Sequence, residues 1–195
     1  MRHKMIPALV VVLLAGSAWH LGSAGYLHTK AWVAQQLIAR AWARPDGPAR
    51  PWSWADMHPV ARLAVPRLQS TLYVLSDATD RSLAFGPGVW QGSIGTMHES
   101  LVIAGHRDTH FAILRNLIAG DEIGLDLHGG AIRRYRVKES RLVDTRDQAL
   151  RIDPHGGELI LVTCFPFDAI NPGGPLRFVV LAEPVRSTML EKVVL

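Results

Sequence analysis

The chain has 195 residues, one cysteine, nine histidines and a formal net charge of +4. Its length fits one domain plus a tail, and at 48% hydrophobic and 19% charged it can bury a core. A single cysteine excludes an internal disulfide. The Lys and Arg residues are scattered, with no basic run and no aromatic-rich RNA-binding motif, so nucleic acid is not an expected partner.

Arg2 and Lys4 precede an apolar stretch from Met5 to about Leu27, interrupted chiefly by His20 and free of charge from Ile6 to Ala15. A bilayer-spanning helix needs about 20 such residues. Small residues between Ala15 and Ala24 admit a cleaved signal peptide. No clean Ala-x-Ala site stands there and the apolar pattern continues, so residues 1–28 read as a retained signal anchor, a transmembrane helix. Lys30, Arg40 and Arg44 on the far side leave the orientation tied by charge.

Trp32, Val33, Leu37, Ile38, Ala41 and Trp42 recur at helical spacing, which predicts an amphipathic helix from Lys30 to about Trp42. It suits either the membrane interface or packing on its own domain. The proline-dense run from Arg44 to Pro51 ends it as a linker or strap, with Trp52 and Trp54 placed to wrap onto the domain. Residues 29–58 are therefore a juxtamembrane segment, and 59–195 the folded domain.

From about Val60 the chain is mainly β. Short strand candidates are Arg62–Pro66, Leu72–Leu75, Leu83–Phe85, Leu101–Ala104 and Ile123–Leu127; longer ones are Ile132–Val143, Glu158–Thr163 and Arg177–Ala182. Tyr135, Val137 and Glu139 alternate with Arg134, Arg136 and Lys138, the period of a half-buried strand. Phe111, Leu114 and Leu117 share the face of a short helix, and Gly86-Pro87-Gly88, Gly129-Gly130 and Gly156-Gly157 mark turns. About eight short strands predict a closed barrel or a sandwich.

Three apolar strands each end in a side chain with chemistry. Leu101–Ala104 runs through Gly105 into His106, Leu161–Thr163 into Cys164, and Arg177 opens Phe178–Val180. A thiolate is a strong nucleophile that nearby cations favour. An imidazole moves protons to a leaving amine and from an incoming nucleophile, and a guanidinium stabilises an oxyanion. His98, His110 and His155 compete with His106 for the proton-moving role. His106 and His110 are four apart, but no third ligand is near and the glutamate of a zinc-protease helix is absent, so neither metal nor cofactor is expected.

Ala104-Gly105-His106-Arg107-Asp108-Thr109, with Phe111, Leu114, Leu117 and Gly120-Asp121-Glu122-Ile123 after it, resembles the histidine region of sortases. Leu161-Val162-Thr163-Cys164 resembles their Thr-Leu-x-Thr-Cys signature, with Ile160 in place of the first threonine, and Arg177 falls at the family's arginine. The likeness covers about residues 60–185. Cys164-Phe165-Pro166-Phe167-Asp168, followed by Asn171 to Phe178, is similar to the subgroup of Gram-negative proteobacteria, class GN.

The resemblance implies an eight-stranded β-barrel with short helices, tethered to the cytoplasmic membrane with its catalytic domain in the periplasm. It implies Cys164 as nucleophile on a Thr–Gly-type bond of a C-terminal Leu-Pro-x-Thr-Gly-like sorting signal in a secreted protein. A thioester forms and is resolved by an amine acceptor or by water. His106 becomes general acid and base and Arg177 the oxyanion or substrate clamp. Thr163 and Asp108 are candidates to tune the site, set against ordinary strand-end hydrogen bonding. No carboxylate cluster demands calcium. Two rival readings stand beside this one. An L,D-transpeptidase-like enzyme would place its cysteine in a Ser-x-Gly-Cys context that the chain lacks. A non-catalytic membrane-tethered β-module would bury Cys164 as packing.

Overall fold

The structure is a computed structural model. It describes residues 13, 14, 16, 17, 29–47, 49–92, 94, 99–147, 152–169, 171 and 173–185. The chain divides into two compact units, Met1–Leu37 and Ile38–Leu195. In the first, residues 13, 14, 16, 17 and 29–37 are helical, and Ser17 Oγ donates to the Leu13 carbonyl at 2.8 Å. The expected membrane span over residues 1–28 lies, apart from those four residues, outside the described residues. Among the described residues no helix is long and apolar enough to cross a membrane.

The second unit opens with helical residues 38–42. Ile38 is fully buried against Ala55, Met57 and Leu75. After the proline-dense strap, Trp52 meets Phe85 edge to face at 5.1 Å, while Trp54 stays 79% exposed. Eight strands follow: β1 (Pro59–Val65), β2 (Ser70–Leu75), β3 (Gly88–Gln91), β4 (Leu101–Ala104), β5 (Glu122–Leu127), β6 (Ile132–Asp144), β7 (Leu159–Cys164) and β8 (Leu176–Pro184). They close into a barrel in the order β1-β2-β3-β4-β7-β8-β6-β5. Of the two architectures that many short strands allow, the barrel is the one formed. Closure leaves no sheet edge unpaired.

Two sequence expectations are corrected. Leu83–Phe85 is not a strand. Thr79 caps a one-turn helix, α1 (Asp80–Leu83), by accepting from the Ser82 N–H, and the Asp77 carboxylate accepts from the Thr79 N–H. This local capping outweighs a three-residue apolar run. Gly86-Pro87-Gly88 is not simply a turn, because Gly88 begins β3. A Cβ there would lie 1.9 Å from the Asp77 carbonyl oxygen, so only glycine admits that approach. The Phe111–Leu117 helix is a 3-10 helix, η2 (His110–Asn116), the second after the short η1 (Pro66–Leu68) that follows β1. Spacing of three repeats a face once per 3-10 turn, which buries Phe111, Leu114 and Leu117 together.

The main core fills the barrel with Leu63, Val74, Ile103, Leu125, Tyr135, Leu161 and Val180 among others. The alternation of β6 holds through Val137 and breaks at a register shift between Val137 and Glu139. The bulge adds one residue and turns the later side chains over, so Glu139 is exposed. A second apolar cluster lies on the opposite, outer face of the strands: Val102, Val143, Ile160, Val162, Val179 and Leu181, with Ile152 packed against it.

Candidate active site

The topology brings the three strand ends together. β4 and β7 run parallel, with Ala104 opposite Val162, so their C-terminal ends share one rim of the barrel. β8 is antiparallel to β7 and therefore begins at that rim, with Arg177 directly opposite Cys164. Directly opposed residues on antiparallel strands have Cβ atoms about 5 Å apart.

The register between β4 and β7 continues beyond β4. The Gly105 N–H donates to the Val162 carbonyl at 3.1 Å, and the buried Thr163 hydroxyl donates to the Gly105 carbonyl at 2.7 Å. Thr163 is thus an ordinary strand-end stitch. Extending the register two residues from Ala104 and Val162 sets His106 beside Cys164. Period-two alternation aligns the three on one face: Cys164 follows Ile160 and Val162, and Arg177 precedes Val179 and Leu181. His106 continues from Val102 and Ala104. That face is the outer one, away from the main core.

Burial separates the site from the strands that carry it. Leu159 to Thr163 are all buried, whereas Cys164 is half-buried, Arg177 half-buried and His106 exposed. Arg177 Nη1 donates to the Gly174 carbonyl at 2.7 Å and the Leu176 carbonyl at 3.0 Å. Gly173 and Gly174 have φ of 93° and 94°, a conformation that favours glycine and turns the Gly174 carbonyl toward that guanidinium.

Two segments frame the rim. The β7–β8 loop leaves Cys164 through a cis Phe165–Pro166 peptide bond. It returns where the Phe165 N–H donates to the Leu176 carbonyl at 3.0 Å. Phe167 packs against Phe178 at 5.2 Å, and the Arg115 guanidinium lies 4.8 Å from the Phe167 ring centre. The other segment, 105–121, joins β4 to β5 through η2. The Phe111 N–H donates to the His106 carbonyl at 3.0 Å, and a Cβ on Gly105 would come within 2.7 Å of the Phe111 ring. Glycine at 105 thus lets the ring press against the backbone that presents His106.

Of the competing histidines, His155 precedes β7 and so lies at the rim opposite Cys164, a strand length of roughly 17 Å away. His98 falls outside the described residues. His110 opens η2. Burial first, and then the charge of His106, pushes its imidazole below the usual histidine range. Asp108 is exposed. Arg107, which the sequence does not single out, is only 8% exposed between exposed neighbours.

A thiol, an imidazole and a guanidinium at the converging ends of adjacent barrel strands form a set suited to acyl transfer. The sequence profile of the sortase domain matches residues 63–185, more than half of the chain, and the chain belongs to the sortase family. It is 29% identical to sortase D of Bacillus subtilis over 125 residues, which are 63% of this chain and 62% of that protein. The match thus spans less than two thirds of that relative's length. Sortase C-1 of Actinomyces oris is similar in structure, with a TM-score of 0.55, 26% identity and coverage of 66% of this chain and 76% of that one. A sortase D5 transpeptidase of Clostridium perfringens shares the fold at a TM-score of 0.60 and 17% identity, over 79% of this chain and 99% of that one.

Proposed function

We propose that the protein is a membrane-anchored sortase that cleaves a Leu-Pro-x-Thr-Gly-like sorting signal in a secreted protein and joins the new carboxyl end to an amine. The observation that carries this reading is the direct pairing of Arg177 with Cys164, with His106 next along the register of β4.

The Cys164 thiolate attacks the carbonyl carbon of the scissile Thr–Gly bond. Arg177 faces the oxyanion that forms there, a contact of a kind worth about 3 kcal/mol. As the C–N bond breaks, His106 gives its proton to the departing amine and a thioester remains on Cys164. The acceptor amine then attacks the thioester carbonyl and loses a proton to His106. The C–S bond breaks and the thiolate returns. Water in place of the amine gives hydrolysis.

The half-exposure of Cys164 at the end of an otherwise buried strand favours this over a packed, inert thiol. The motif from Cys164 to Phe178 favours the Gram-negative subgroup, and the apolar stretch within residues 1–28 favours an inner-membrane anchor with the domain in the periplasm. The test uses the full chain in detergent with a labelled Leu-Pro-x-Thr-Gly peptide and a glycine-based amine. Intact mass should show a thioester adduct on the wild type, and ligated product should accumulate. If wild type and Cys164→Ala give the same adducts and products, the reading is wrong.

A further inference from the structure

We propose that Arg107 is a positioning residue, a latch whose buried guanidinium fastens the β7–β8 loop to the end of β4 and so holds His106 in line with Cys164 and Arg177. The inference rests on the catalytic roles proposed above.

Arg107 follows His106 directly, yet it turns inward where His106, Asp108 and Thr109 turn out. Its Nη2 donates to the Ala169 carbonyl at 3.0 Å and to the Asn171 carbonyl at 2.9 Å. Both carbonyls belong to the loop that joins Cys164 to Arg177. One side chain therefore ties together all three proposed catalytic positions, one by its own backbone and two through the loop between them.

The latch has a second point of attachment. Arg115, on η2, stacks on Phe167 of the same loop. The segment carrying His106 is itself pinned by Gly105 to β7 and by the Phe111 N–H to the His106 carbonyl. Arg107 adds the tie between this segment and the β7–β8 loop.

The charge of Arg107 argues against a packing role alone. Among the described residues its hydrogen bonds go to backbone carbonyls and none to a carboxylate, and its Nη1 is buried without a hydrogen-bond partner. An unneutralised buried cation is unfavourable for the fold. A residue selected only to fill space would be neutral. The planar guanidinium fixes the direction of its donors, which a lysine ammonium does not, and lysine is also shorter.

The test uses the full chain with Arg107→Lys and Arg107→Gln in the peptide assay, alongside amide exchange. Misplacement near 1 Å lowers turnover about 100-fold. Arg107→Gln should therefore lose about 100-fold in kcat with KM changed less than threefold, and Arg107→Lys about 10-fold. Amides of residues 165–178 should exchange faster in both variants while those of β5 do not. A folded Arg107→Gln protein with kcat within twofold of wild type overturns the proposal. Should the variants not fold, the wild type decides: slowly exchanging, separately resolved Arg107 Nη2 protons in its NMR spectrum support the latch, and averaged ones like those of exposed arginines overturn it. Exchange and NMR do not depend on turnover. A latch seen by both in a protein without peptide activity would refute the catalytic reading and leave the contact standing.

Discussion

The two ends of the segment joining β4 to β5 treat charge in opposite ways. At its C-terminal end, the buried Asp121 carboxylate accepts from Arg67 Nη2 at 2.7 Å and from the Ile118 N–H at 2.9 Å, and Arg67 also reaches the Asn116 carbonyl. The pair is neutral and its acceptors are satisfied. At the N-terminal end, Arg107 is buried against carbonyls only, and His106 stands exposed with no partner carboxylate among the described residues. One end is built as a fold is built, with opposite charges matched. The other leaves the buried Arg107 cation without a carboxylate partner among the described residues, which weakens a fold and marks a place where ordinary charge matching gives way.

Substitutions at the two ends should therefore separate activity from stability. The largest effect is expected at the unmatched end. His106→Ala should lower kcat/KM about 1,000-fold, near 4 kcal/mol, with a denaturation midpoint close to wild type. Equal losses of activity and stability would erase the distinction. Arg177→Gln should lower kcat about 100-fold, near 3 kcal/mol, read in single-turnover thioester formation by quenched mass spectrometry.

Gly105→Ala probes the boundary between the two regimes. Its methyl would press into the fully buried Phe111 ring, and overpacking of this kind costs about 2 kcal/mol. Both urea stability and peptide cleavage should fall, because the same backbone presents His106.

At the matched end, Asp121→Asn should cost about 1–2 kcal/mol at pH 7 and leave kcat within twofold. The smallest effect is its acid signature. Hydrogen bonding from Arg67 holds the Asp121 carboxyl below its ordinary value of 3.8, against the opposing effect of burial. A depressed carboxylate stabilises the fold above its unfolded value, and that stabilisation is lost as pH falls through the lower folded value. Wild type should lose its margin over Asp121→Asn as pH falls below about 4. A margin constant down to pH 2 would show that Asp121 does not act through its charge.

The sequence exposes most of the barrel because strand periodicity and glycine turns are local signals. β4 is predicted residue for residue, and β5, β6, β7 and β8 to within two residues at either end. β3 was hidden because the reason for Gly88 lies in the Asp77 backbone, distant along the chain and close in space. α1 was hidden because its signal is a cap at Thr79 rather than an apolar face. Cys164, His106 and Arg177 were visible as strand ends, but their convergence depends on the parallel β4–β7 pairing, which no single strand encodes. Arg107 gave no sign at all, since an arginine beside two polar residues carries nothing in sequence to mark it as buried.

The way Arg107 holds its loop bears on how the loop can vary in sequence. The contacts are to the carbonyls of Ala169 and Asn171, groups that every residue supplies. The base of the loop is closed by the Cys164–Arg177 pair whatever lies between. Side chains along the exposed part of the loop can therefore be exchanged while the grip and the reacting groups stay in register. A loop held this way can take new side chains along its exposed stretch without disturbing the backbone contacts that hold it.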